Sequence, residues 1–383
     1  MKPARLARVR RAGVALPAAI IALVLLSTLV AGALFVSTEE LRSGRSNMAD
    51  QRALAAAEWA LARAIVAWDA RHNTSQVVGA REIVDERDIT PNDHVVVTAT
   101  RVQRNAVWMT AAATSRGDGR AIPARHMIAA SLRLVGASVG MRAALTAAGA
   151  VSVSGGVIDG RDSAVDDASG LCIGDTLTGG AGVSVPDASQ VTCADCASSL
   201  AGVFGNPPID SSLEVPNDSA FARFGDETAA TLAGRASIVI DGGTVVPRPA
   251  IANGECDRAD PVNWGDLSHT GPCGDHYPIV HVRGSAVLGP GSVGQGILIV
   301  DGSLRVEANA RFAGVVVVSD DIAVVGIGAE IRGVAFAGDA DRAGGSRVAD
   351  GGAIRLTSCA VRRATLGTAR LTRTPERWWT ELR

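Results

Sequence analysis

The sequence predicts two joined architectures. An α+β N-terminal part, a long N-terminal helix plus an antiparallel meander, is followed by an all-β parallel β-helix, or solenoid. Three observations carry this expectation. An uncharged apolar run of 23 residues, Val14 to Val36, leads into Ala-rich sequence with helical spacing. Residues 94–135 alternate apolar and polar side chains between short turns. Beyond residue 275, Gly-punctuated segments rich in Val and Ile recur every 18 or 19 residues.

Composition points the same way. Of the 383 residues, 47% are hydrophobic but only 3% aromatic, and 43 are glycine. That hydrophobicity, at a net charge of −2, excludes a disordered chain. Balanced charge and scarce aromatic platforms exclude a typical nucleic-acid partner. The core must therefore be built from small and β-branched side chains.

Residues 1–13 form a basic leader with Lys2, Arg5, Arg8, Arg10 and Arg11 and no acid. About 20 apolar residues span a bilayer as a helix, so Val14–Val36 is long enough. Its expected membrane-facing residues include Leu16, Pro17, Ile20, Ile21, Leu25, Leu29 and Phe35. Basic residues ahead of the span place the N-terminus in the cytoplasm and the remainder outside. The expected location is thus the cytoplasmic membrane, crossed once, with the head exported to the periplasm or cell surface. Two processing routes are open. Ala31-Gly32-Ala33 has the small residues of a signal-peptide cleavage site. Alternatively the span is retained. Cleavage between Gly13 and Val14 would then leave Pro17 in the first turn of the helix, where proline is tolerated.

Arg11-Ala12-Gly13, followed by Val14-Ala15-Leu16 and the apolar run, resembles the class III signal of type IV pilin-like proteins. Gln51 to Leu61, with Ala56-Ala57-Glu58 inside it, resembles the Ala-Ala-Glu segment of the PilX N-terminal family of minor pilins. The resemblance covers roughly residues 1–135. It implies a prepilin peptidase cutting after Gly13, N-methylation of Val14, and other pilin subunits and the inner membrane as partners. The fifth mature position is Ala18, where most major pilins carry Glu and the PilX-like group often does not.

The helical region is expected over 14–69, with Leu54, Leu61, Ile65 and Trp68 near i, i+3, i+4, i+7 spacing. About 55 residues at ~1.5 Å each make a rod of roughly 80 Å, whose lower half can bury an Ala-rich stripe on a head. A small meander follows over 70–135, with strands at His94–Val102, Ala106–Thr114 and Ala124–Val135. The β-helix is expected over 136–370. Its segments begin at Ile279, Ile297, Val315, Val334 and Ala353, separated by 18, 18, 19 and 19 residues. Ile238–Gly242 and Ala150–Gly156 read as earlier coils, separated from the rest by excursions at 158–235 and 247–278. Residues 371–383 read as a cap over the last coil.

Six cysteines, Cys172, Cys193, Cys196, Cys256, Cys273 and Cys359, all follow the span. In an exported chain they are candidate disulfides. Cys256 with Cys273, and Cys172 with Cys193 or Cys196, are the expected pairs. The rival is a zinc site from Cys193 and Cys196 with Cys256, Cys273, His269 or His276, but no second close ligand pair supports it. Asp301, Asp320 and Asp339 recur at one corner of successive coils, and such a ladder could hold calcium. The competing reading is that they are turn residues. Two motif matches lack context. Gly289–Gly294 spells GxGxxG but precedes a strand, and Gly136–Gly140 spells GxSxG. For the second, a helix over Met141–Ala148 would be needed.

These features favour a non-enzymatic role without a cofactor: a structural minor pilin-like or pseudopilin-like subunit of a type IV pilus or related cell-surface filament, with a β-helix head for adhesion or partner contact. A self-assembling, membrane-anchored β-helix scaffold, forming a homo-oligomer or filament, is the first alternative. A carbohydrate-active β-helix enzyme using Asp301 and Asp320 is the second.

Overall fold

The computed structural model describes residues 15–116, 123–163, 179–194, 202–212, 223–225, 227–268, 270–339, 344–374 and 379–382. One helix, α1 (Ala15–Val66), runs 52 residues without a break. At ~1.5 Å per residue it is about 78 Å long. Its N-terminal half is exposed. In its C-terminal half Ala49, Ala53, Ala56, Ala57, Ala60, Leu61 and Ala64 are buried on one face. This spacing is the 3.6-residue repeat. The stripe is centred on alanine; Leu54, Ile65 and Trp68 only flank it. Alanine serves because the opposing sheet supplies the bulk, through Met109, Ile128, Leu132 and Leu134.

That sheet is antiparallel. After the short α2 (Arg71–Ser75) come β1 (Arg81–Thr90), β2 (Asp93–Gln103), β3 (Ala106–Ser115) and β4 (Ala124–Val135), in that spatial order. Sequence reading recovers β2, β3 and β4 but not β1. Arg81, Glu82, Asp85, Glu86, Arg87 and Asp88 mask its alternation. An edge strand tolerates such charge, and its two register irregularities blunt it further.

The solenoid begins with β5 (Ala143–Ala147), β6 (Val151–Ser154) and β7 (Val157–Asp159). A second turn follows in β8 (Ala181–Ser184), β9 (Val191–Cys193) and β10 (Gly202–Phe204), then β11 (Ile209–Asp210). A hairpin of β12 (Arg223–Phe224) and β13 (Glu227–Thr228) and the helix α3 (Ala229–Ala233) lead to β14 (Ile238–Val245). A second hairpin, β15 (Ile251–Ala252) and β16 (Glu255–Cys256), precedes β17 (Ile279–Leu288). The remaining coils are β18 (Val293–Val300), β19 (Leu304–Val306), β20 (Arg311–Val318), β21 (Ile322–Val325), β22 (Glu330–Ala337), β23 (Ser346–Ala349) and β24 (Ala353–Arg355). The chain ends in α4 (Ser358–Gly367), β25 (Arg370–Arg373) and β26 (Trp379–Leu382).

Parallel pairing stacks these strands into three faces. The first runs β14, β17, β18, β20, β22, β5, β8, β11. The second runs from the ends of β14 and β17 through β19, β21, β23, β6 and β9. The third runs from the starts of β18, β20 and β22 through β24, β7 and β10. Inside, ladders of like residues fill a narrow core. Phe312, Ile331, Ile354 and Ile158 form one, and Val306, Val324, Val348 and Val153 another.

The order of coils corrects the expected one. The first coil in sequence, 143–159, does not precede 238–245 in the stack. It docks on the last coil, through β22–β5, β23–β6 and β24–β7. The chain therefore enters the solenoid in its interior, winds to one end at β11, returns along the outside, and rewinds from β14. Ala353–Arg355 also belongs elsewhere. It pairs with Glu330–Arg332 on the third face, not with Val334, because the intervening segment lengthens the coil from 19 to 23 residues. The return path covers the first face: Phe224 packs edge-on against Phe336 at 5.4 Å, and Leu232 is buried.

Gly296, Gly314 and Gly333 stack at one corner with φ of 111°, 135° and 135°. A β-carbon at any of them would overlap a carbonyl oxygen of the preceding coil. Ala364 of α4 packs over this corner.

The C-terminal segment is not a cap on the last coil. Strands β25 and β26 both hydrogen-bond β4, extending the antiparallel sheet. The C-terminal half of α1 and the last two strands are thereby held in one unit. Asn73 ties the units together, donating to the carbonyls of Leu366 and Ala369 at 2.9 Å each. It accepts from the Trp68 indole at 2.8 Å.

Candidate functional site

The candidate surface is the uncovered half of α1. Leu16, Ile20, Ile21, Leu25, Leu29 and Phe35 are exposed by 57% or more, and Pro17, in the first turn, is exposed too. Gly13 and Val14 lie outside the described residues. The mean hydropathy of the apolar stretch is 2.7, and none of it is buried within the molecule. Leu16 to Val36 at ~1.5 Å per residue spans about 32 Å, the thickness of a bilayer's hydrocarbon core. Each large side chain gains ~1.5–3 kcal/mol on leaving water, so this surface strongly favours apolar cover.

The polar groups in the stretch are already satisfied. Ser27 and Thr28 donate to the carbonyls of Val24 and Leu25, each at 2.9 Å. Hydroxyls closed onto their own helix suit hydrocarbon surroundings. Ions begin only afterwards, with Glu39 and Arg42 paired at 2.8 Å. The described chain has one helix long and apolar enough to cross a membrane.

Where α1 ends, a polar hub fixes it to the rest. The buried Arg101 guanidinium donates to the carbonyls of His72, Asn73, Gln103 and Arg104. Burial lowers its pKa to about 10, so it remains a cation at neutral pH. Burial pushes the Asp69 carboxyl up, but hydrogen bonds and charge from Arg71, with the charge of Arg258, outweigh it and hold it low. Thr74 reaches Asp275 at 3.3 Å and Arg258 reaches Asp69 at 3.4 Å, joining α1 and α2 to the loop before β17.

In that loop Cys256 and Cys273 form a disulfide, as expected. Their sulfurs are consumed, which removes them from the zinc alternative. Cys193 and Cys359 are also disulfide-bonded. Cys172, Cys196 and His269 lie outside the described residues. His276 is buried, and burial together with the nearby Arg258 charge lowers its pKa to about 4. Its neutral ring donates through Nε2 to the Asn263 carbonyl at 3.2 Å.

The aspartates of the corner ladder do not converge. Asp301 pairs with His281 at 2.9 Å. Asp339, at φ 51°, rests its carboxylate against Gly149. What repeats is the backbone, with the Asp339 amide donating to Asp320 and the Asp320 amide to Gly302. Among the described residues no three His, Cys, Asp or Glu side chains gather as metal ligands. Gly136–Gly140 leads into strand β5 rather than a helix, so no nucleophile elbow forms. Gly294 lies inside β18, as its context required.

One cluster was missed in sequence. Arg311, Glu330, Arg332, Arg355 and Asp159 share the third face, and Arg161, just past β7, lies over it against Asp159 and Phe204. The signal was present as Glu330-x-Arg332, polar residues two apart on the outward side of a strand, with Arg355 alone at the matching position of the next coil. Their alignment depended on the coil order.

No protein-family model matches the chain, and no curated protein matches it. Among solved structures, it is similar to the crystal structure of the competence-associated pilin ComZ from Thermus thermophilus. The two share 13% identity at a TM-score of 0.25, covering 89% of this chain and 97% of that one. A likeness at this level does not establish a common fold.

Proposed function

We propose that the chain is a structural, non-enzymatic subunit of the pilin-like class, anchored in the cytoplasmic membrane by α1 and carrying its solenoid outside. The carrying observation is the division of α1. One half is embedded in the head through an alanine stripe. The other half is bare and apolar, with its hydroxyls satisfied internally. A helix so divided suits lateral storage in a membrane and later packing against equivalent helices. The basic leader supports a cytoplasmic N-terminus. The Arg11-Ala12-Gly13 signal supports a prepilin peptidase as processing partner and other pilins as assembly partners. Disulfides support an oxidising compartment for the head. A minor role fits the bulky solenoid, which would crowd a filament if repeated at every subunit. N-terminal sequencing of the exported protein tests this reading. A mature terminus at N-methylated Val14 is expected; a terminus at Leu34 would overturn it.

A further inference from the structure

The third face of the solenoid carries an unbalanced row of arginines. Adjacent coils lie ~4.8 Å apart, so in-register residues stack at that spacing. Arg332 and Arg355 are in register on neighbouring strands. Like charges directly opposite destabilise a sheet. Both guanidiniums lean on one carboxylate, Glu330, at 2.8 and 3.3 Å. Arg311, in register with Glu330 one coil away, is exposed and forms no ion pair among the described residues. On the next coil Arg161 grips Asp159 at 2.7 Å and lies 4.9 Å from the Phe204 ring. The carboxylates are largely covered, Glu330 at 13% and Asp159 at 11% exposure. The guanidiniums point outward, at 45%, 42% and 66% for Arg332, Arg355 and Arg161.

The other faces differ. The first is covered by the return path. On the second, Arg305 and Arg347 each have their own carboxylate, Glu307 and Asp350. Only the third face presents four guanidiniums over two sunken acids.

We propose that this face binds an acidic polysaccharide of the polyuronate type. A guanidinium is a planar fork matched to a carboxylate. A polyuronate bears a carboxylate on each sugar, at a repeat comparable to one coil, and an extended polymer lies flat on an ungrooved sheet. A nucleic acid fits less well, because Phe204 is the one aromatic ring beside the row among the described residues. The inference adds a ligand to the exported solenoid of the proposed subunit and rests on that reading. Binding itself is measured on purified protein and needs no filament.

The test uses the full chain in detergent, titrated with polygalacturonate, neutral dextran and poly-dT at low salt. Polygalacturonate is expected to bind, with affinity falling as salt rises, and dextran not to bind. Arg332→Gln with Arg355→Gln is expected to weaken binding about tenfold or more, the loss of a charge-assisted contact. Arg305→Gln with Arg347→Gln on the second face is expected to leave it unchanged. If the first double variant does not fold, Arg311→Gln replaces it; as an unpaired surface cation it is expected to weaken binding several-fold. The proposal is overturned by absence of polygalacturonate binding, by equal loss in the second-face variant, or by tighter binding of poly-dT. A mature terminus at Leu34 would instead remove the pilin reading while leaving a positive binding result intact.

Discussion

Replacing Gly314 by alanine isolates what holds one coil against the next. Gly314 has φ 135°, and a β-carbon there would overlap the Gly296 carbonyl oxygen and press on Ala364 of α4. Gly243, at the outer edge of the solenoid, has a nearly equal φ of 130° but nothing within 4 Å of the same position. Gly243→Ala therefore carries only backbone strain, about 1–3 kcal/mol. Gly314→Ala adds overpacking between coils, about 1–3 kcal/mol more. Hydrogen exchange of the full chain in detergent reads this directly. Peptides covering 293–337 should exchange roughly tenfold faster or more in Gly314→Ala than in Gly243→Ala, since ~1.4 kcal/mol is a factor of ten. Equal protection in the two variants would refute the close stacking of glycine on carbonyl.

Other perturbations follow from the same geometry. Arg101→Met should destabilise the chain by about 3 kcal/mol or more, because several buried carbonyls lose their donor, as urea unfolding would record. Cys256→Ser with Cys273→Ser, opening a loop of sequence separation 17, should cost about 3 kcal/mol and raise protease sensitivity between β14 and β17. His276 makes stability depend on pH. Its folded pKa of about 4 lies below the ordinary value of 6.5, so the unfolded chain binds the proton more readily between them. Stability from this group is full above 6.5 and is lost as pH falls towards 4, by on the order of 3 kcal/mol. His276→Gln should flatten the unfolding midpoint across that window relative to the parent chain. Ending the chain at Gly345 removes one neighbour each from β6 and β7, strands β23 and β24, so limited proteolysis is expected to cut within 143–159 faster than in the full chain.

Much of this protein was legible in local sequence. The span of α1, strands β2 to β4 and the coils at 279, 297, 315 and 334 follow from periodicity, because side-chain direction along helix and strand is a local property. Glycine at 296, 314 and 333 marked its own corner for the same reason. The Cys256–Cys273 pair was accessible because both residues lie in one short excursion. The pairing of distant segments was not. Strand β1 was hidden because an edge need not bury either side. The arginine row was hidden because its register spans residues 159 to 355, which become neighbours only where the first coil docks on the last. Which coil stacks on which depends on the end surfaces of two complete coils, and no window of sequence contains both. Likewise β25 and β26 carry no mark that sends them to β4 rather than to the solenoid. Sequence alone determined the kinds of element and their repeat. Tertiary structure decided their order, because that order is set by contacts between surfaces that exist only after folding.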